Sequence, residues 1–196
     1  MNTTKKLALA LAATLLAAGA NAATVFSNDY GNVDMSTPNS VSASFAAGAG
    51  AGSVSFHLDG FNSLDGDNFY IDVFTLSVNG NAVFSGTWDL GGGGADEIFT
   101  SPAGYALTKN GTSSLDITVP VSFTAGANNV TFAYDSPSTW AGSGRAGGQG
   151  IGDEGWGLGQ VTVAATTVPE PATSALLLAG LGIVGGIARR RARKAA

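Results

Sequence analysis

Residues 115–134 read LDITVPVSFTAGANNVTFAY, and this stretch decides the fold. Apolar residues occupy every second position over 115–123 and again over 130–134. Successive side chains of a β-strand point to opposite faces, so this period of two predicts two strands, each with one buried face. Pro120 has no N–H to donate to a neighbouring strand, which predicts an edge strand or a bulge at that position.

The same alternation extends outward in both directions. It occurs over 54–58, over 74–78 and at Val161 and Val163, and Asn79-Gly80-Asn81 predicts a tight hairpin turn into Val83-Phe84. No window between residues 24 and 167 has convincing helical periodicity. The sequence therefore predicts an all-β domain over residues 23–167, an antiparallel, jelly-roll-like β-sandwich of seven to nine short strands.

Two glycine-rich stretches, 91–94 and 142–150, predict mobile surface loops. The second contains a G-x-G-x-x-G pattern at 142–147. That pattern binds dinucleotides only between a strand and a helix, and no such unit surrounds it here. A nucleotide site is therefore not expected.

Composition narrows the classes of function. The chain has no cysteine, which excludes thiolate catalysis, Cys-ligated zinc and a disulfide scaffold. All fourteen acidic residues lie between Asp29 and Glu170, where Lys109 and Arg145 are the two basic residues, so this part carries a net charge of −12. Such a surface repels phosphate backbones, and no nucleic-acid partner is expected.

The N-terminus has the three parts of a secretory signal peptide. Lys5-Lys6 is followed by the apolar run 7–18 and then by the small residues Ala20 and Ala22 around Asn21. This order predicts a signal peptide over 1–22, with cleavage after Ala22. The alternative is an uncleaved N-terminal anchor, for which the apolar run is short.

The C-terminus has a second three-part pattern. Pro169-Glu170-Pro171 precedes the uncharged stretch 172–188, which is at the short end of what a transmembrane helix needs. A basic cluster follows and predicts a cytoplasmic end by the positive-inside rule. Its members are Arg189, Arg190, Arg191, Arg193 and Lys194.

This C-terminal pattern resembles the PEP-CTERM sorting signal, over residues 168–196. The resemblance implies recognition by exosortase, a multi-pass membrane enzyme of Gram-negative bacteria, and cleavage near Pro169, Glu170 and Pro171. It also implies a precursor anchored in the inner membrane and a product at the cell surface or in the extracellular exopolysaccharide matrix of a biofilm or floc. An ordinary single-pass anchor is the alternative.

Two stretches of the predicted β-domain resemble stretches of secreted bacterial β-sandwich domains. The stretch 72–80, DVFTLSVNG, is similar to their D-x-F-x-L-x-V-N-G strand and turn. The stretch 153–161, DEGWGLGQV, is similar to their last strand, with Gly159-Gln160 where Asp-Asn is common. A site that depends on that Asp-Asn pair is in doubt in this chain.

Asp65, Asp67 and Asp72 form the densest group of oxygen ligands, with Asn68 between them. Ca²⁺ takes six to eight oxygens, so these residues are a candidate calcium site, although the spacing is not that of an EF-hand. The alternative is a solvated turn. Asp153 and Glu154 can join the site only if the fold brings the last strand near.

Other side chains give weaker signals. His57 is the one histidine, and it alternates with apolar neighbours, which predicts an outward position and no catalytic role. Trp88 and Trp156 are expected in the core, whereas Trp140 lies in a Ser/Gly-rich loop and is a candidate for stacking on sugars.

The leading hypothesis is a non-enzymatic structural protein of the cell surface or matrix. Glycosidase chemistry needs only two carboxylates, but no pair stands out in this sequence. The alternative hypothesis is a carbohydrate-binding module, with or without Ca²⁺.

Overall fold

A computed structural model of the chain describes residues 22–68, 70–136, 154–167 and 171–194. These residues form eleven strands and a helix, and the mostly-β prediction is confirmed. In chain order the elements are β1 (Ala22–Asp29), β2 (Met35–Ser36), β3 (Asn39–Ala47), β4 (Gly50–Asn62), β5 (Val73–Val78), β6 (Asn81–Thr87), β7 (Glu97–Thr100), β8 (Ala106–Asn110), β9 (Ser114–Phe123), β10 (Gly126–Asp135), β11 (Glu154–Thr166) and α1 (Pro171–Lys194). The predicted signal peptide lies outside the described residues, except for Ala22, and stays a prediction.

The strands form two antiparallel sheets. The first has the order β1-β11-β4-β9-β8, with β2 also paired to β11, and the second has the order β3-β10-β5-β6-β7. Strands from the start of the domain pair with strands from its end in a nested order: β1 with β11, β3 with β10 and β4 with β9. The first and third of these pairs lie in the first sheet, and the second pair lies in the second sheet. This nesting is consistent with the expected jelly-roll-like arrangement.

The core lies between the sheets and follows the alternation seen in the sequence. Along β10, Val130, Phe132 and Tyr134 are buried, whereas Thr131 and Ala133 between them are only partly covered. Strands β4, β5 and β9 repeat this pattern, and Trp88 and Trp156 are buried as expected. One contiguous core therefore holds the two sheets together.

The hairpin between β5 and β6 shows why the turn residues are needed. Asn79 and Gly80 both have positive φ, 51° and 80°. A two-residue turn with both residues left-handed matches the twist of the flanking strands, and Asn-Gly is its favoured sequence. The hairpin predicted at this position is confirmed.

Pro120 lies in β9, which has neighbours on both sides. It pairs with Ser53 of β4, but the ladder between β8 and β9 ends at Thr118. The strand is therefore a local edge at Pro120, and the missing N–H interrupts no bond to β8.

Two expectations differ from the structure. The described residues hold more strands than seven to nine, because short elements such as β2 and the edge strands β7 and β8 carry too little alternation to be read. The stretch 91–94 is joined to Leu64 and Gly66 by main-chain hydrogen bonds, which does not favour the mobile loop predicted there. The loop 142–150 lies outside the described residues.

Helix α1 contains the stretch 172–188, and its apolar side chains Leu178, Ile183 and Val184 are more than half exposed. Among the described residues, no helix has both the length and the apolarity needed to cross a membrane. The helical prediction is confirmed, and its membrane role remains a hypothesis.

Candidate functional site

One end of the core is polar, directly beyond a layer of buried aromatic rings. Phe74 of β5, Tyr134 of β10 and Trp156 of β11 form this layer, with ring centroids 5.5 Å apart for Phe74–Tyr134 and 5.7 Å apart for Tyr134–Trp156. Residues two apart on a strand share a face, and one step further on each of these three chain segments carries a polar side chain, either in the strand or directly beyond its end. These side chains are Asp72, Ser136 and Glu154.

Asp65, Asp72 and Glu154 form a carboxylate cluster. One oxygen of each lies within 4.8 Å of the others. The three residues are 6%, 0% and 4% exposed, respectively. Carboxylate oxygens that converge in this way are the ligand type that a hard cation such as Ca²⁺ takes.

Asp65 is held in the cluster by hydrogen bonds on both sides of its backbone. Its N–H donates to Asp72 Oδ2 at 2.7 Å, and its carbonyl accepts from the Thr87 hydroxyl at 3.0 Å and from the Asp72 N–H at 3.2 Å. Asn68 Nδ2 donates to Asp65 Oδ1 at 3.1 Å. The orientation of Asp65 is therefore fixed by neighbouring protein groups.

The loop 88–96 closes over this segment. Gly66 N–H donates to the Gly93 carbonyl at 2.8 Å, and Asp67 exchanges two main-chain bonds with Ala95 at 2.8 and 3.0 Å. A Cβ on Gly92 would collide with Asp65 Oδ1 and with the Ser63 carbonyl. Gly92 is thus needed because the loop backbone lies directly against the Asp65 carboxylate.

Two hydroxyls extend the cluster, and sequence reasoning missed both. Ser136 Oγ donates to Asp72 Oδ1, and Thr37 Oγ1 is hydrogen-bonded to Ser136 Oγ. The Thr37 N–H also donates to the Glu154 carbonyl at 3.3 Å. Ser136 continues the alternation of β10 and could have been found by it, whereas Thr37 lies in a short segment with no periodic signal.

Tyr134 lies beneath the cluster. Its hydroxyl, like Trp156 Nε1, is buried and makes no hydrogen bond to any described residue. Burial, followed by the charges of Asp72 and Asp96, raises the pKa of Tyr134 well above its ordinary value. The phenol is therefore neutral at physiological pH.

The chemistry of the cluster is that of a hard cation site. All its candidate ligands are oxygens, from carboxylates and hydroxyls, as Ca²⁺ requires. Of the predicted ligands, Asp65 and Asp72 belong to the cluster, Glu154 joins them, and Asp67 is not in the group. Asp153 lies outside the described residues.

The other predicted positions lie in the two terminal segments of the sequence and in the segment 137–153. Ala20, Trp140, Pro169 and Glu170 lie outside the described residues, and Pro171 begins α1. The arginines of the basic cluster are exposed near the end of that helix.

A second cluster of polar side chains lies on the outer face of the first sheet. His57 Nδ1 lies 2.7 Å from Asp116 Oδ1, and His57 Nε2 lies 3.4 Å from Asp59 Oδ1. Asn110 Nδ2 donates to the other Asp116 oxygen at 2.6 Å. The outward position predicted for His57 is confirmed, and its ring is flanked by two carboxylates.

The titration of His57 tests this arrangement. Burial alone would lower the pKa of His57, but the hydrogen bond to Asp116 and the charges of Asp59 and Asp116 outweigh it, so the pKa is raised above 6.5. The His57 bond, with that from Asn110, lowers the pKa of Asp116 below 3.8. The pair therefore stabilises the fold fully between pH 3.8 and 6.5, and loses effect as pH rises through the raised pKa or falls through the depressed one.

Proton NMR measures this directly, because the chain has one histidine. We expect a His57 pKa above 6.5 that falls in Asp116→Asn and is unchanged in Asp135→Asn, an exposed position in the other sheet. A His57 pKa at or below 6.5 in the unaltered protein would contradict the geometry.

Comparison with known proteins identifies the C-terminal segment. Residues 167–194 match the PEP-CTERM protein-sorting motif. The chain therefore carries this motif, as the sequence predicted, and the motif implies an exported protein sorted by exosortase with a transient stay at the membrane. No curated protein matches the chain significantly.

Solved structures similar to the sandwich have low identity. A cycloisomaltooligosaccharide glucanotransferase from Paenibacillus sp. has 18% identity and a TM-score of 0.36, over 72% of this chain and 16% of that one. The CBM36-1 domain of a xylanase from the hindgut metagenome of Trinervitermes trinervoides has 9% identity and a TM-score of 0.34, over 76% and 92%. A family 35 carbohydrate binding module from an environmental isolate has 15% identity and a TM-score of 0.32, over 76% and 90%. The chain spans less than a fifth of the glucanotransferase.

Proposed function

We propose that this chain is a non-enzymatic protein of the cell surface or exopolysaccharide matrix, processed by exosortase after export. The sorting motif at 167–194 is the observation that carries the proposal. It begins one residue after β11 ends at Thr166, so the folded domain and the sorting signal follow each other directly.

The short connection suits processing at the membrane. Four residues, 167–170, separate β11 from α1, and they reach at most about 14 Å when extended. Proline at position 171 begins the helix, where its missing N–H is tolerated. In our proposal, the apolar part of α1 is the temporary anchor in the inner membrane, and the arginines after it remain on the cytoplasmic side.

The carboxylate cluster does not have the arrangement of a glycosidase pair. A glycosidase needs two carboxyl groups that reach the sugar from opposite sides of the scissile bond. Asp72 and Glu154 are almost fully buried and lie within 4.8 Å of each other, so a polysaccharide has no access to them.

The intact mass of the protein from membrane and extracellular fractions of its host tests the proposal. We expect an extracellular species that begins at Ala23 and ends near Pro169-Glu170-Pro171. Replacing these three residues by alanine should leave the protein in the membrane fraction with its C-terminus intact. Thr173→Ala, just beyond the triplet, is the matched control and should be processed normally.

A single membrane-bound species that retains Ala196 in the unaltered protein would mean that the anchor is permanent. In that case the proposed processing would be wrong, whatever the role of the sandwich.

We further propose that the carboxylate cluster holds Ca²⁺ and so stabilises the exported domain. The three buried carboxylates and the adjacent hydroxyls of Ser136 and Thr37 support this role. The ion would join the start of β5, the start of β11 and the loop that carries Asp65. Its test is the response of thermal unfolding to added Ca²⁺.

A further inference from the structure

The open side of the sandwich contains a groove that no sequence motif indicated. It lies between β7, the edge strand of the second sheet, and β8, the edge strand of the first. Its volume of about 480 Å³ is within the usual range for ligand sites. We name it the edge groove, and its lining residues are Trp88, Asp96, Glu97, Ile98, Tyr105, Ala106 and Leu107.

The aromatic side chains of the edge groove are fixed by the core. Trp88 is 1% exposed and stacks on Phe84, with ring centroids 6.1 Å apart and planes 13° apart. Tyr105 packs on the same Phe84 at 5.5 Å but remains 37% exposed. A ligand that stacks on Tyr105 therefore meets a ring that is already held in place, which reduces the entropy lost on binding.

The carboxylate of Asp96 in the edge groove is also fixed. Lys109 Nζ contacts both Asp96 oxygens at 2.9 and 3.0 Å, and Asp96 Oδ1 also accepts from the Asp89 N–H at 2.9 Å. This ion pair joins β8 to the segment before β7, so it ties the two walls together. Asp96 and Glu97 present carboxylate oxygens that accept hydrogen bonds from hydroxyl groups.

We propose that the edge groove binds neutral polysaccharide, an inference that rests on the proposed export to the exopolysaccharide matrix. A sugar ring has an apolar face for Tyr105 and hydroxyl groups for Asp96 and Glu97. Two carboxylates against one ammonium, on a domain with a large acidic excess, repel anionic polymers such as uronates. The edge groove therefore selects uncharged sugars.

An added β-strand from another protein fits less well. The pairing of β7 with β6 is interrupted by a register shift between Ser85 and Gly86. Glu97 on β7 and Lys109 on β8 place charges on the two edge strands. Irregular pairing and edge charges are the features that oppose strand addition.

Affinity electrophoresis of the full chain tests the proposal, in a polyoxyethylene detergent that carries no sugar. The neutral probes are dextran, galactomannan and hydroxyethyl cellulose, and the anionic probe is alginate. We expect at least one neutral probe to retard the protein and alginate to have no effect. Tyr105→Ala should weaken the retardation about tenfold, as loss of a stacking ring does. Tyr70→Ala is the matched control, since Tyr70 is 41% exposed elsewhere, and it should bind as the unaltered protein does.

Glu97→Gln removes one carboxylate charge without a change in the size of the side chain. If Tyr105→Ala lowers the stability of the fold, the binding of Glu97→Gln to the neutral probes tests the proposal instead. Three results would overturn the proposal. They are failure of all three neutral probes to retard the protein, retardation by alginate, and binding by Tyr105→Ala and Glu97→Gln that equals binding by the unaltered protein. Such a result would leave the sorting proposal intact if the mass of the extracellular protein is as expected. Conversely, retardation by a neutral probe with no processing would overturn only the sorting proposal.

Discussion

Ca²⁺ at a hundredfold excess over its dissociation constant is expected to raise the midpoint of thermal unfolding by roughly 8 °C, equivalent to about 2.7 kcal/mol. The reason is the carboxylate cluster, where oxygens of Asp65, Asp72 and Glu154 lie within 4.8 Å of one another in a buried position. A divalent cation offsets the repulsion among these charges in the folded state, and the unfolded chain does not hold them together. Differential scanning calorimetry of the exported protein in Ca²⁺ and in EDTA measures the effect.

The variant Asp72→Asn keeps the size of the side chain and removes one charge from the centre of the cluster. It should abolish most of the response to Ca²⁺, because Asp72 is also the residue that binds the Asp65 N–H and the Ser136 hydroxyl. Asp135→Asn is the control, since Asp135 lies at the end of β10 but is exposed, and it should keep the full response. Equal unfolding midpoints of the unaltered protein in Ca²⁺ and in EDTA would show that the cluster does not use the ion.

The fold was predictable because its strongest signals are local. The alternation over 115–123 and 130–134 sets which side of each strand faces the core, and the structure buries the predicted side. The turn at Asn79-Gly80 was equally readable, since few residues adopt positive φ without strain. Short strands such as β2 could not be predicted, because an alternating pattern cannot be recognised in two residues.

The cluster was only half predictable, because it depends on contacts between distant parts of the chain. Asp65 and Asp72 are close in sequence and were identified by the local density of oxygen ligands in that segment. Glu154 joins them through the pairing of β11 with β4, which places it opposite Asn62. The stretch 91–94 was predicted to be mobile from its glycines, yet Gly92 and Gly93 pack on the Asp65 segment, since glycine permits close backbone approach as readily as it permits conformational freedom.

Phe74→Ala is expected to lower the free energy of unfolding by about 3–5 kcal/mol, the usual range for removing a buried aromatic ring. Phe74 is 0% exposed, and its ring lies 5.4 Å from Phe56, 5.5 Å from Tyr134 and 6.0 Å from Trp88. The cavity would lie between the two sheets, where neighbouring rings cannot collapse into it without moving strands. Urea unfolding followed by tryptophan fluorescence measures the change.

Val33→Ala is the matched truncation at a surface site, since Val33 is 65% exposed, and it should change stability by less than about 0.5 kcal/mol. Because Asp72 directly precedes β5 and is two residues from Phe74, Phe74→Ala should also reduce the response of unfolding to Ca²⁺, whereas Val33→Ala should not. A Phe74→Ala protein that loses stability but keeps the full Ca²⁺ response would show that the aromatic layer does not position the carboxylates. A loss below about 1 kcal/mol would contradict the packing of the core itself.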